Sequence, residues 1–212
     1  MRNWSPDSRP RRQRGEYIGE HRREFALTTR TVVVVDYDEE WPRLFEKLRA
    51  QVWPVVAEVA LRIEHVGGTS VPGLASKPIV DMTVVVPGRN VVGRAIERLR
   101  TLGYCHRGNL GIEDREAFDH PPDMVRHHLY VSPDGATALL NQLALRDYLR
   151  AQPDAACQYG ELKKALARHF QNDINSYVFG KTDFILGVLR RAGLTEEMLT
   201  SIERVNRPAG QG

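Results

Sequence analysis

At 212 residues, with 42% hydrophobic residues and two cysteines, the chain is long enough for a packed core and too poor in cysteine for a disulfide framework. It has no apolar run of about eighteen residues, no apolar N-terminal segment of the secretory kind and no CxxC spacing, so we expect a cytoplasmic protein with free thiols at Cys105 and Cys157 and no membrane span. The net charge of +3 is unevenly spread: residues 1–30 hold eight arginines against four acids, which suggests a disordered extension with only weak, nonspecific affinity for nucleic acid.

The folded part is expected over 31–196, with 197–212 a flexible tail. Residues 31–35 (TVVVV) are β-branched and read as a first strand or an extended entry. Over 39–60, Leu44, Leu48, Val52, Val55, Val56 and Val59 recur at helical spacing, which predicts a helix or a helix pair bent or divided at Pro54. Residues 61–66 form a short strand candidate, stopped by Gly67 and Gly68. A loop rich in Gly, Ser and Pro runs to Pro78. Residues 79–86 (IVDMTVVV) are the clearest strand, and Pro87-Gly88 ends it. A helix is predicted over 91–102 with Gly103 behind it, then strands over 104–109 and 124–131, and a turn at Pro133-Asp134-Gly135. Helices follow over 138–151, over 154–170 capped by Asp154, and over 182–192 closed by Gly193. This order predicts an α+β fold: a mixed sheet with flanking helices and a helical C-terminal part.

The chemistry concentrates between Glu64 and Asp81, in EHVGGTSVPGLASKPIVD. Two glycines after a strand allow close backbone approach to a ligand, and Thr69 and Ser70 add hydroxyls and N–H donors suited to phosphate. Lys77 places a cation just before the strand. Asp81 lies inside an apolar strand, on one face with Thr83 and Val85. A carboxylate there requires a metal, a cation or hydrogen bonds, and Lys77 or an arginine is one structural partner. His65 reads as a hydrogen-bonded scaffold residue or as a proton-transfer group. On the strand 124–131, alternation puts Arg126, His128 and Tyr130 on one face and His127 on the other.

These residues resemble a known family. Gly67-Gly68-Thr69-Ser70 followed by Asp81 resembles the glycine signature of polymerase-β-type nucleotidyltransferases. The longer string HVGGTSVPGLASKPIVD, with RHHLYV, LRDYL, YGELK and YVFGK further on, resembles the GrpB family within that superfamily. The resemblance implies a nucleotidyltransferase-like sheet. It also implies a nucleotide or phosphate site around Gly67, Gly68, Thr69, Ser70, Lys77 and Asp81, with Arg146, Lys163 and Lys181 as further cations. GrpB-like domains also occur fused to dephospho-CoA kinase, which brings CoA in as a ligand class. Thr83 stands where the superfamily carries a second carboxylate, and the strand MVRHHLYV holds no third acid.

The expectation is therefore a protein that acts on or binds a nucleotide or another phosphate-bearing small molecule. Asp81, His128 and Lys77 are the candidate catalytic groups. Arg126 joins the phosphate-binding set. Asp81 and His128 are the candidate ligands for Mg2+ or another divalent metal. The alternatives are a nucleotide- or CoA-binding module without catalysis and an ATP-assisted, ligase-like enzyme. Asp119, His120 and Asp123 add metal ligands if their loop folds inward. Arg146 and Asp147, adjacent on a helix, are expected to find separate partners.

Overall fold

The alternation of Val80, Met82, Val84 and Val86 with Asp81, Thr83 and Val85 gives one strand two unlike faces, and the fold is built around them. In the computed structural model, which describes residues 31–207, this strand is β2 (Val80–Val86). It pairs antiparallel with β1 (Arg62–Val66) and parallel with β5 (His127–Pro133). Beyond β5 lie β4 (Glu116–Asp119) and β3 (Cys105–His106), both antiparallel. The mixed sheet has the order β1-β2-β5-β4-β3.

The apolar face of β2 and β5 packs on α1 (Glu40–Val56) and α2 (Arg89–Arg100). Phe45, Leu48, Val52 and Val56 of α1 recur three or four residues apart and meet Met82, Val84, Leu129 and Val131 in the main core. Pro54 does not divide α1. It sits in the last turn, and the helix ends two residues later at Val56.

The other face of β2 looks toward the C-terminal helices. These are α3 (Thr137–Ala151), α4 (Pro153–His169), α5 (Ile174–Phe179), α6 (Thr182–Arg191) and α7 (Glu196–Asn206). Val85 packs with Ala136 and Leu139 at the start of α3.

Several expectations are corrected. Residues 31–35 take the extended-entry alternative: Val35 makes one isolated bridge to Ser76, and the Val32 N–H donates to the Gln171 carbonyl. The strand expected over 104–109 shrinks to two residues, and β4 arises inside what read as loop. Asp154 lies in the first turn of α4 but makes no capping hydrogen bond. Residues 197–206 are no flexible tail: Leu199 and Ile202 of α7, three apart, bury against Leu186 and Leu189 of α6. The extension 1–30 and residues 208–212 lie outside the described residues. Among the described residues, no helix is long and apolar enough to cross a membrane.

Candidate functional site

The two glycines after β1 are required by what packs on them. Gly67 has φ +70°, and a Cβ there would lie 2.2 Å from Oδ2 of Asp81. A Cβ on Gly68 would lie 2.0 Å from Oγ of Ser76 and 2.9 Å from Nζ of Lys163. The backbone thus closely approaches both the half-buried Asp81 carboxylate and the buried Lys163. The hydroxyls that follow turn inward. Oγ1 of Thr69 lies 3.0 Å from Nε2 of His65, and Oγ of Ser70 donates to the Gly67 carbonyl at 2.6 Å. Arg150 donates twice to the Ser70 carbonyl, at 3.0 and 2.7 Å. Gly67 and Gly68 line a cavity beside β2, whereas the hydroxyls of Thr69 and Ser70 brace the turn and do not line it. His65 stacks on Phe45 with ring centroids 4.5 Å apart, and burial pulls its pKa down to about 4. It is a neutral scaffold residue.

The parallel pairing of β2 with β5 sets Asp81 in register with His128 and Thr83 with Tyr130. Nδ1 of His128 lies 2.7 Å from Oδ1 of Asp81. With the carboxylate accepting at Nδ1, Nε2 of a neutral His128 is left as an acceptor. Thr83 is buried and donates to Oε1 of Gln142 at 2.8 Å. Tyr130 carries the guanidinium of Arg115 over its ring at 4.6 Å. His127 faces the opposite side, buried between Tyr104 and the Val125 carbonyl.

A divalent metal does not suit this donor set. Asp81 is the single carboxylate on the cavity wall, and one of its oxygens is engaged by His128. Among the described residues, no group of three or more His, Cys, Asp or Glu side chains could hold an ion. Asp119 pairs with Arg107, and His120 packs on His127 on the far face of the sheet, so that loop does not complete a metal site.

Cations dominate instead. Lys77, Lys163 and Lys181 converge on a cavity of about 370 Å³ between the glycine turn, β2, β5 and the helices α3–α6. Lys181 and Lys77 flank the Tyr177 ring at 4.5 and 5.9 Å, and Lys163 lies 4.8 Å over Tyr159. Among the described residues Lys163 is the one buried lysine or arginine, and Nζ donates to Oγ of Ser76 at 2.7 Å. Burial, then repulsion from Lys181, brings its pKa to about 7; burial, then Lys77, brings that of Lys181 to about 8. Burial also lowers Lys77, against the attraction of Asp81.

Arg146 departs from expectation. Its Nε donates to the adjacent Asp147 at 2.7 Å while Nη1 reaches Glu64 at 2.7 Å and the His65 carbonyl at 3.0 Å. A long flexible side chain on the edge of a helix can fold back to its neighbour. Arg146 borders the cavity as a braced wall. Arg126 lies just before β5, exposed, near enough to depress Lys77 but not on the cavity wall.

Sequence reasoning missed Arg115, Asn141, Gln142 and Asn206, all on the cavity wall. Asn141 and Gln142 carried a signal: two amides interrupting the apolar run of α3. Arg115 carried none, because a loop offers no periodicity; Asn206 ends a stretch read as a tail, although Leu199, Ile202 and Val205 recur there at helical spacing.

The family model described as GrpB protein matches residues 31–191. The UPF0157 protein YqkA of Bacillus subtilis (strain 168) is 35% identical over 156 residues, covering 74% of this chain and 46% of YqkA, so the chain spans less than half the length of that relative. The crystal structure of the conserved protein GrpB from Enterococcus faecalis is similar with a TM-score of 0.68 and 34% identity, over 76% of this chain and 96% of that one. The Cid1 poly(U) polymerase, in a mutant form bound to MgATP, has a TM-score of 0.50 at 12% identity over 70% of this chain and 50% of its own. That likeness is one of fold, and the fold is nucleotidyltransferase-like.

Proposed function

The chain belongs to the GrpB family, and from that premise we propose that its cavity binds a phosphate-bearing small molecule, with a nucleotide as the first class to test. The observation that carries this reading is the convergence of Lys77, Lys163 and Lys181 with Arg115 on a cavity that contains one carboxylate. Partly buried like charges repel one another and lose solvation, so the ligand-free arrangement is costly. A polyanion removes that cost and gains charge-assisted hydrogen bonds. The lysines thus provide the positive charge that metal ions bring to phosphate in many other sites.

Calorimetric titration and thermal shift with tripolyphosphate, ATP, GTP, CTP, UTP and CoA, each with Mg2+ and with EDTA, test the reading. Binding is expected in EDTA and is expected to weaken at least about tenfold in Lys181→Met. Absence of binding by every one of these anions would overturn it. Binding only with a divalent ion would overturn the view that the lysines suffice.

A second reading, turnover of the ligand, is favoured by the Asp81–His128 pair. Asp81 would hold the imidazole so that Nε2 takes a proton from an attacking hydroxyl or amine. Incubation with nucleoside triphosphates and a metabolite pool, followed by mass spectrometry for AMP, ADP or a nucleotidylated product, decides it. Product lost in His128→Asn with binding retained supports catalysis. No product leaves a binding module.

A further inference from the structure

A second cavity of about 250 Å³ adjoins the first and has a different chemistry. The two share Arg115, Asn141, Gln142 and Asn206 on their walls. The second contains no lysine. Its remaining charges, Arg89 with Glu113 and Asp114, are joined to one another at 3.0 and 2.5 Å. What it offers a ligand is the side-chain amides and the hydroxyls of Thr137 and Ser201, backed by the apolar side chains of Ile112, Ala138 and Ile202. Carboxamides both donate and accept, so they can match a ring edge that carries donors and acceptors in fixed positions. Small-molecule sites are commonly built this way, from an apolar wall with a few placed polar groups.

Arg115 lies at the junction. Its guanidinium rests on Tyr130, and its buried Nε has no hydrogen-bond partner. The residue before it, Asp114, has φ +56°, an uncommon conformation for a residue with a side chain, and the Asp114 carbonyl accepts from Oγ of Ser132 at 2.7 Å. The loop is therefore held in a particular shape at the point where it delivers Arg115 between the cavities.

We propose that this second cavity takes the uncharged, hydrogen-bonding half of the ligand, a heterocyclic base with its sugar, while the lysine cavity takes its phosphates, with Arg115 at the bridge. The inference rests on the phosphate reading and deepens it. It explains why α7 is part of the folded unit: Ser201, Ile202 and Asn206 of α7 form one wall of the base compartment.

The test compares tripolyphosphate, which has no base, with ATP and UTP, and adds adenosine and uridine, which have no phosphate. Binding is measured calorimetrically on the wild-type chain and on Ala138→Phe and Ser201→Trp. Both variants fill the second cavity without touching a lysine; Ser201 is exposed, so its replacement spares the core. At least one nucleotide is expected to bind about tenfold or more tightly than tripolyphosphate. The variants should remove that advantage while leaving tripolyphosphate binding unchanged, which also shows that they fold. Equal binding of nucleotides and tripolyphosphate, with both variants silent, would overturn the base compartment and leave the phosphate reading standing. Nucleoside binding that the variants abolish, without any tripolyphosphate binding, would support the compartment and sink the phosphate reading. No binding by any of these probes overturns both.

Discussion

The two faces of β2 are made from alternate residues of one seven-residue strand, yet they are held by different physics. On one face Val80, Met82, Val84 and Val86 are fully buried against α1 and α2. Their contribution is area removed from water and dense packing, which many side-chain combinations can supply. On the other face Asp81 and Thr83 meet His128, Gln142 and the glycine turn through individual hydrogen bonds and close contacts. The first face tolerates chemical variation and resists loss of volume. The second tolerates almost no added volume where the glycine turn crosses it, although the rest of it borders the cavity.

The largest expected effect breaks the second face. Gly67→Ala puts a methyl group 2.2 Å from the Asp81 carboxylate and forces a side-chain residue into φ +70°. We expect a loss of more than about 3 kcal/mol in denaturant unfolding. Gly73→Ala has a similar φ of +75° but nothing within 4 Å, so it should cost only the backbone strain, about 1 kcal/mol. Equal losses would show that conformation, and not the contact with Asp81, dictates glycine at position 67.

Met82→Ala tests the apolar face. Met82 is fully buried, and a cost of about 2–5 kcal/mol is expected with phosphate binding intact once the protein is folded. Loss of binding out of proportion to stability would mean that the faces are coupled.

Two pH slopes of the same sign, in separate pH windows, should report on titratable groups flanking the glycine turn. His65 has a folded pKa of about 4 against an ordinary 6.5, so between those values the unfolded chain holds the extra proton and stability falls as pH drops. His65→Phe should flatten that slope, worth about 3 kcal/mol when complete. Lys163 has a folded pKa of about 7 against an ordinary 10.5. The unfolded chain again holds the extra proton between those values, so ligand-free stability should rise with pH across that window and Lys163→Met should remove the rise. A bound phosphate restores the lysine charge, so binding should take up protons and weaken from pH 7 to 9. Buffer-dependent calorimetry measures that uptake.

The smallest effect is Thr83→Val. It removes the hydroxyl that Gln142 accepts from, at a cost of about 1 kcal/mol, and should leave tripolyphosphate binding unchanged.

Local pattern was enough for much of this protein. Strict alternation in β2, helical spacing in α1, and paired glycines followed by an isolated aspartate made the core face, the first helix and the position of the turn legible, because each depends on residues a few places apart. Alternation also placed His128 and Tyr130 together with His127 opposed, and the parallel register then set His128 beside Asp81. Partner choice was decided by the tertiary structure. Arg146 meets Glu64 across 82 residues, and Thr83 meets Gln142 across 59. The direction of the Thr69 and Ser70 hydroxyls depended on His65 and on the tight turn, the gathering of Lys77, Lys163 and Lys181 on the packing of α4–α6, and the place of Arg115 on a loop without periodicity. Helix α7 was legible but missed: Thr195 caps it, Glu196 and Glu197 open it, and Leu199, Ile202 and Val205 recur at helical spacing, yet the stretch is polar enough to pass for a tail until α6 offers it a surface. Periodicity records which way a side chain points from its own element; which groups it then meets is fixed by strand register and helix packing over distances that no local pattern encodes.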